Sequence, residues 1–342
     1  MRIATLATSS LAFVLTWAGA AQVQSTPAPE GHISGPVTYE NIAVYFIHGT
    51  SKPGPAPLTL AEALAAKTVE VRETGSVNEL QIENLGSRPV FVQAGDVVKG
   101  GRQDRTLQVS LLLPPKSGRI PLAAFCVEHG RWSGRNAEDP TRFTTSVAAV
   151  PSREMKMAMQ APQPVAPAGG PAPSRQQQVW DNVAKTQDRL STAVGANIRA
   201  VASESSLPLS LESLALGKLR DRYIAALKGA GEKGGDIVGY VFAVNGQINS
   251  GEVYQSNALF RKMWPKLLDA SATEAISHRN EAKSELPSVA IVADFLDKAT
   301  SGSGKTTPLN FGVDRITRES DAAWSFETAS ADGWVHRGYL AK

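Results

Sequence analysis

The chain contains 342 residues with 35 basic and 32 acidic side chains, and its formal net charge of +3 predicts no extended basic surface for nucleic acid. An apolar fraction of 42% and a charged fraction of 20% are ordinary for a folded globular protein and exclude wholesale disorder. The single cysteine, Cys126, excludes both an intrachain disulfide framework and a cysteine-rich zinc module.

The first 21 residues have the features of a secretory signal peptide. Arg2 supplies a short positive region, residues 3–17 are mostly apolar or small, and the sequence AGA ending at Ala20 fits the small-x-small cleavage rule. The apolar stretch is shorter than the roughly 20 residues that span a bilayer, and no later segment reaches that length. We expect cleavage after Ala20 or Ala21, a periplasmic or extracellular protein, and no membrane span after cleavage.

The next part of the chain is rich in short strand-like segments. Residues 22–36 predict a flexible leader, and a short helix is predicted at 58–66 with Thr59 and Glu62 forming a capping box. The strand candidates, which are β-branched, aromatic or alternating, are 37–47, 68–72, 79–83, 89–93, 106–113 and 120–128. Short strands at this spacing predict a β-rich N-terminal lobe of mostly antiparallel strands.

Residues 161–174 consist mainly of proline, alanine and glycine (APQPVAPAGGPAPS). This composition predicts a disordered segment and no packed element. The segment is either a long insertion within one domain or a linker between two domains, and the residues themselves leave both possibilities open.

The second half of the chain is mainly helical. Its helix candidates, recognised by composition and apolar spacing, are 176–203, 210–227, 257–278 with an interruption at Pro265, and 288–298. Asn245 and Gly246 lie between two strand-like runs and predict a hairpin of 237–244 with 247–254. Residues 310–340 return to strand-like sequence, so the order of elements predicts an α+β fold and disfavours a doubly wound sheet.

Three features that could suggest a functional site do not meet the requirements of one. Residues 301–306 (SGSGKT) resemble a phosphate-binding loop, but Ala299 stands where the first glycine is needed and a helix is predicted before them, so we expect a turn. The histidines are scattered and show no ligand spacing, so we name no metal ligand, although distant side chains could still assemble a metal site. Cys126 lies in an apolar run, which predicts a buried structural thiol.

Two polar clusters interrupt the strand-like sequence, one at 96–105 (DVVKGGRQDR) and one at 128–132 (EHGRW). Each follows or precedes an apolar strand, so we expect both at strand ends. The glycines at 100 and 101 either allow a ligand to approach the backbone closely or simply form a tight turn.

The residue types of these clusters are those of a pocket for an anion and a ring. The guanidinium groups of Arg102, Arg105 and Arg131 suit phosphate or carboxylate. Gln103 can donate and accept hydrogen bonds, and Trp132 can stack on a ring. The predicted binding residues are therefore Arg102, Gln103, Arg105, Arg131 and Trp132.

Two other interpretations of the clusters remain open. In a hydrolase, Glu128 would be the catalytic acid or base, His129 could share that role, and Asp96 or Asp104 would supply a second carboxylate. In a structural or envelope-interaction protein with no ligand pocket, the same charges would form a buried salt-bridge network that holds loops between strands. The residues alone name no cofactor.

The two clusters resemble the ARG and rhodanese-phosphatase-superfamily-associated protein domain. The matching stretches are GGRQDR at 100–105, CVEHGRW at 126–132 and a third stretch that ends with WPKLL at 264–268. The family is associated with ADP-ribosylglycohydrolases and rhodanese-type phosphatases. The resemblance implies one family-like domain at 37–340 with an insertion at 161–174, and a small anionic, nucleotide- or ADP-ribose-like ligand.

Overall fold

The computed structural model describes residues 31–135, 138–160 and 174–342. The predicted signal peptide at 1–21, residues 22–30 of the predicted leader and residues 161–173 of the predicted insertion lie outside the described residues. The predicted leader is shorter than expected, because its last residues already belong to the first strand.

The strands, numbered in chain order, are β1 (Ile33–Tyr39), β2 (Ile42–His48), β3 (Leu58–Thr59), β4 (Val69–Ser76), β5 (Glu79–Asn84), β6 (Val90–Val92), β7 (Asp96–Gly100), β8 (Arg105–Leu107), β9 (Leu111–Leu113), β10 (Gly118–Cys126), β11 (Phe143–Ala149), β12 (Ile237–Val244), β13 (Gln247–Tyr254), β14 (Ser303–Pro308), β15 (Asp314–Glu319), β16 (Ala323–Ser330) and β17 (Gly333–Ala341). The helices are α1 (Leu60–Ala65), α2 (Arg153–Gln160), α3 (Arg175–Val194), α4 (Leu207–Leu211), α5 (Leu214–Glu232), α6 (Asn257–Ser277) and α7 (Val289–Ser301). This mixture of helices and antiparallel sheets confirms the predicted α+β class. None of the described helices is long and apolar enough to cross a membrane.

A large antiparallel sheet forms the centre of the described structure, in the order β1-β2-β12-β13-β17-β16-β15-β14. Strand β2 is buried on both faces, which explains its continuous apolar sequence. Val44 and Phe46 pack in the core that includes α3, α5 and α6, whereas Ala43 and Tyr45 pack in the core that includes α7. The hairpin of β12 and β13 confirms the hairpin predicted around Asn245.

The N-terminal strands form two smaller sheets. One has the order β11-β7-β8-β10-β5-β4, and the other has the order β3-β6-β9, with β3 parallel to β6. Leu80, Ile82 and Leu122 belong to a core of this lobe, while Phe91 and Phe125 pack in the main core under the large sheet. The predicted β-rich lobe is confirmed. Its strands contribute side chains both to the core of the lobe and to the main core.

The helix boundaries correct three expectations. Helix α6 continues through Pro265, because Trp264 and Leu268 are buried in the main core and this packing outweighs a proline cost of about 3 kcal/mol. The helix predicted at 176–203 ends at Val194, where Gly195 adopts the left-handed conformation. The helix predicted at 210–227 is divided into α4 and α5.

The stretch that imitates a phosphate-binding loop has a different structure from the predicted turn. Its last residues enter β14, which pairs with β15 and is exposed along its length. A helix precedes this strand and no helix follows directly, so the stretch lacks the strand-loop-helix context that a phosphate loop needs.

Candidate functional site

The two polar clusters meet because β7, β8 and β10 are adjacent strands. Pairing of β8 with β10 places Arg105 opposite Cys126, and pairing of β7 with β8 places Val98 opposite Arg105. The segments that follow β7 and β10 therefore leave the sheet side by side. Residues far apart in the sequence become neighbours here, as in the hydrogen bond from Arg131 Nη1 to the Gly101 carbonyl at 2.9 Å, which joins residues 30 positions apart.

The Gly100-Gly101 turn requires glycine at both positions. Their φ angles are +118° and +56°. A Cβ on Gly101 would lie 2.3 Å from Cζ of Phe143. The Gly100 amide donates to Oδ1 of Asp104 at 2.9 Å, which closes the turn on a buried carboxylate. The backbone conformation and the close packing of the turn therefore explain the two glycines without a ligand.

Asp104 forms a buried ion pair with Arg135, a residue that sequence reasoning missed. Its carboxylate accepts from Nη1 and Nη2 of Arg135 at 2.7 and 2.8 Å and from the Ser206 hydroxyl at 2.6 Å. Burial raises the pKa of Asp104, and the hydrogen bond from Arg135 opposes that rise. Burial lowers the pKa of Arg135, but its bonds to Asp104 and Glu138 outweigh this and raise it, so Arg135 stays charged.

Glu128 is fully buried and surrounded by donors. It accepts from Nε and Nη2 of Arg131, both at 2.7 Å, from the Ser203 hydroxyl at 2.5 Å and from the Asp104 amide at 2.9 Å. Burial raises the pKa of Glu128, but the bonds from Arg131, Ser203 and the Asp104 amide prevail and lower it. The carboxylate is therefore held ionised by internal partners, and neither oxygen is exposed to solvent.

Arg131 also uses its donors internally. Besides Glu128, its guanidinium donates to the carbonyls of Gly100 at 3.2 Å and Gly101 at 2.9 Å, and to the carbonyl of Ser133. The side chain is only 10% exposed. Arg131 therefore joins the two clusters to each other, and this arrangement leaves it no donor for an outside anion.

Arg105 lies entirely within the protein. Its Nη1 donates to Sγ of Cys126 at 2.7 Å and to Oε1 of Gln103 at 3.3 Å, and its Nη2 donates to Oε2 of Glu73 at 3.3 Å. Its Nε is buried and has no hydrogen-bond partner among the described residues. Arg105 and Gln103 thus lie buried below the exposed part of the two clusters. Glu73 is a further partner that the sequence did not indicate.

Cys126 is buried beside this arginine. Burial raises the pKa of the thiol to about 11, although the nearby Arg105 charge opposes the rise. The amide and carbonyl of Cys126 bond the Gln176 side chain, each at 2.9 Å. The predicted buried thiol is confirmed, and Gln176 connects its strand to the start of α3.

Among the five predicted binding residues, Arg102 and Trp132 are the two that lie at least partly at the surface with side-chain groups not engaged in hydrogen bonds to other described residues. Trp132 is 42% exposed. The guanidinium carbons of Arg102 and Arg105 lie 5.5 and 5.6 Å from its centroid, so both arginines make cation–π contacts with it. Within the described ranges, the guanidinium of Arg102 has no ion pair or hydrogen bond, since its only bond is from its backbone amide to Glu73 at 3.4 Å.

The other carboxylate and imidazole candidates lie elsewhere. Asp96 is at the opposite end of β7 and pairs with Lys266. The ring of His129 packs edge-on against Trp180 at 4.5 Å, and its backbone bonds the Ser205 hydroxyl at 3.0 and 2.7 Å. Neither side chain joins Glu128 as a partner for acid–base chemistry in this arrangement.

A cleft of about 570 Å³ borders the same turn through Gly100. Val69 and Phe143 contribute to its apolar lining, and Lys67 and Arg142 are among the cations along it. Arg142 lies 3.9 Å from a carboxylate oxygen of Glu70. The cleft is of a size that holds small molecules, so it is the principal alternative location for a ligand.

Comparison with known proteins identifies the family of the chain. No curated protein and no solved structure matched it. The model of the ARG and rhodanese-phosphatase-superfamily-associated protein domain matches residues 30–340, which include both polar clusters and the central sheet except its last residue, Ala341, and the chain therefore belongs to this family.

Proposed function

We propose that the chain is an exported small-molecule binding module that recognises an anionic, nucleotide- or ADP-ribose-like ligand at the surface of Arg102 and Trp132. The observation that carries this proposal is an unpaired guanidinium beside a half-exposed indole. Arg102 would bind a phosphate or carboxylate group, and Trp132 would stack on a ring of the same ligand.

The buried charges beneath this surface support the proposal by fixing its position. Asp104 with Arg135, and Glu128 with Arg131, hold the loops that carry Arg102 and Trp132 to the ends of β7 and β10. Loops that are already ordered lose less conformational entropy when a ligand binds. The internal network and a ligand surface are thus compatible, and Arg105, Gln103 and Arg131 act as support in this proposal.

The chemistry of the pair favours a ligand with both an anionic group and a ring. An isolated surface arginine would bind any anion weakly, whereas stacking on an indole adds about 1–3 kcal/mol for a nucleobase. The buried Arg105, whose guanidinium carbon lies 5.6 Å from the centroid of the indole, adds positive charge near the stacked ring. The association of the family with ADP-ribosylglycohydrolases points to the same ligand class.

Titration calorimetry with ADP-ribose, ADP and ribose 5-phosphate tests this proposal. We expect Arg102→Ala and Trp132→Ala each to weaken binding of ADP-ribose or ADP at least about tenfold, from the loss of a charged bond or of stacking. Arg119→Ala is the matched control, because Arg119 is an exposed arginine with a surface ion pair. Loss of binding in Arg142→Ala but not in Arg102→Ala would place the ligand in the cleft and contradict the proposal.

The export part of the proposal rests on the sequence of residues 1–21. Expression of the full chain in a bacterium, followed by N-terminal sequencing of the mature protein, is the direct test. We expect the mature chain to begin at Ala21 or Gln22, as the small-x-small rule predicts. Recovery of the intact N-terminus in the cytoplasm would contradict export without affecting the proposed ligand surface.

A further inference from the structure

We propose that Glu154, Glu274 and His278, assisted by the side-chain oxygen of Asn245, bind a divalent metal ion of the Zn²⁺ or Mn²⁺ type. This site lies between α2, the end of α6 and the β12–β13 hairpin, and it shares no residue with the Arg102–Trp132 surface. The proposal is therefore independent of the proposed function.

The three side chains converge although the sequence separates them widely. Glu274 and His278 are four residues apart at the end of α6, so they face the same side of the helix. Glu154 comes from the first turn of α2. One ligand atom from each residue lies within 4.8 Å of the other two, and the three residues line a cavity of about 200 Å³. Ligands at about 2.1 Å from one ion lie up to roughly 4.2 Å apart, so only a small closure is needed.

The contacts of His278 leave its Nε2 facing the cavity, where Arg189 is its hydrogen-bond partner and a metal ion would take the place of that arginine. Nδ1 lies 2.8 Å from Oε1 of Glu281, which fixes the proton on Nδ1. Nε2 faces Oε1 of Glu274 at 3.7 Å and Nη1 of Arg189 at 3.3 Å. A carboxylate behind the imidazole is the usual outer partner of a metal-binding histidine, since it orients the ring and raises the basicity of the ligating nitrogen.

Asn245 provides an independent observation that points to a ligand. The residue is 7% exposed and lines the same cavity. Its Nδ2 donates to the carbonyl of His278 at 2.9 Å, so the amide orientation is fixed by the donor. Its Oδ1 is then a buried acceptor with no hydrogen-bond partner among the described residues. A buried acceptor without a partner is costly, and a cation would satisfy it.

Glu274 has spare acceptor capacity at the centre of the group. It is 1% exposed, and its Oε1 accepts from the Arg153 amide at 3.0 Å and from Nδ2 of Asn249 at 3.1 Å. Among the described residues, its Oε2 has only a long contact of 3.5 Å with the Ser277 hydroxyl. A buried carboxylate with one weakly bonded oxygen is well suited to a metal ion.

Arg189 is the competing cation of the site. Its Nη1 lies 3.7 Å from Oε1 of Glu154, and its side chain is 41% exposed, so it can turn into solvent when an ion binds. In the proposed exchange, the metal replaces the guanidinium as the partner of Glu154 and His278. The effect of removing Arg189 on metal binding can therefore distinguish a metal site from a simple salt-bridge cluster.

The ligand set selects among divalent ions. One imidazole with carboxylate and amide oxygens suits ions between the hard Mg²⁺ and the soft thiolate-binding metals. We therefore expect Zn²⁺ and Mn²⁺ to bind and Mg²⁺ to bind much more weakly.

The test is a metal titration of the full chain after treatment with a chelator. Isothermal titration with Zn²⁺, Mn²⁺ and Mg²⁺ gives affinity and stoichiometry, and elemental analysis of the dialysed protein confirms the bound ion. We expect one Zn²⁺ per chain. Glu274→Gln, Glu154→Gln and His278→Gln should each weaken binding at least about tenfold.

Two further variants make the outcome decisive. His129→Gln removes an imidazole outside the site and should leave Zn²⁺ binding unchanged. Arg189→Ala removes the competing cation and should tighten Zn²⁺ binding several-fold, whereas a salt-bridge cluster without metal would only lose stability. Glu154 is the ligand least buried in the fold, so its variant remains informative if Glu274→Gln fails to fold. Unchanged stoichiometry and affinity in the folded Glu154 and His278 variants would overturn the proposal.

Discussion

Glu128 shows how a buried charge is kept ionised at the residue scale. Its carboxylate is removed from water but receives hydrogen bonds from Arg131, Ser203 and the Asp104 amide. Such bonds replace hydration, and removing one partner leaves the others uncompensated. The side chain therefore contributes to stability, and its saturated oxygens explain why we assign it no step in the proposed function.

Substitution of Glu128 should lower the free energy of unfolding far more than substitution of a surface carboxylate. We expect Glu128→Gln to lower the free energy of unfolding by about 3 kcal/mol, because Arg131 loses its buried partner. Glu83→Gln, which breaks the partly exposed pair with Arg119, should cost no more than about 1 kcal/mol. Urea denaturation at neutral pH measures both, and equal effects would contradict the buried network.

The contribution of Glu128 to the free energy of unfolding should also depend on pH, and its direction follows from the pKa of this side chain. Its folded pKa is lowered from 4.5, so the unfolded chain binds the proton more readily. Its stabilising contribution is then complete above the unfolded pKa and is lost as pH falls through the lower folded pKa. The stability difference between the wild type and Glu128→Gln should therefore shrink below about pH 4.5. A difference that stays constant into acid would show that the charge of Glu128 is irrelevant.

Cys126 should be inert in the folded protein. Burial raises the pKa of its thiol to about 11, and the thiolate is the reactive form. We expect no alkylation by iodoacetamide at about pH 8 in the native state. The same reagent should modify the thiol once the chain is unfolded in guanidinium, which serves as the control. Rapid native alkylation would indicate that the strand end at Cys126 opens to solvent.

At the scale of elements, local sequence signals predicted turns and helix starts correctly, whereas pairings between distant segments could not be predicted. Asn245 and Gly246 specify their hairpin through turn chemistry, and Thr59 specifies its helix start by its side-chain bond to Glu62. The pairing of β2 with β12 joins segments nearly two hundred residues apart, and nothing local encodes it. Arg135 was missed for the same reason, because only the folded chain brings it to Asp104.

Gly101, in the turn between β7 and β8, and Gly118, at the start of β10, provide a matched pair of glycine substitutions. Gly101 and Gly118 have similar φ angles of +56° and +66°. A Cβ on Gly101 would collide with the Phe143 ring, whereas a Cβ on Gly118 meets nothing within 4 Å. We expect Gly118→Ala to cost about 1 kcal/mol from backbone strain and Gly101→Ala to cost clearly more, from strain plus overpacking. Thermal denaturation compares the two, and equal losses would contradict the predicted crowding.

At the scale of the whole molecule, the β-rich lobe and the central sheet are joined by packing and by polar bonds. Phe91 and Phe125 extend from the lobe into the main core. The Tyr254 hydroxyl donates to Oε1 of Gln93 at 2.6 Å, and Lys266 pairs with Asp96. These contacts are those expected for the predicted single domain at 37–340.

The shared core should make unfolding a single cooperative event. We expect one calorimetric transition whose enthalpy equals the van't Hoff enthalpy, since neither part can expose its side of the shared core independently. Gln93→Ala, which removes a contact between the parts, should lower the midpoint without splitting the transition. Two resolved transitions in the wild type would instead indicate that the lobe and the central sheet unfold as separate domains.

The exposed outer strand β14 has a consequence for self-association. An unpaired sheet edge offers backbone groups to which a second chain can add a strand, and proteins commonly discourage this with lysine and proline. Strand β14 forms one edge of the central sheet and contains Gly304, Lys305 and Pro308. The charge must be desolvated for a strand to dock beside it, and the proline offers no amide hydrogen. Lys305, from the stretch that imitates a phosphate-binding loop, and Pro308 after it thus disfavour the addition of a further strand at this edge of the sheet.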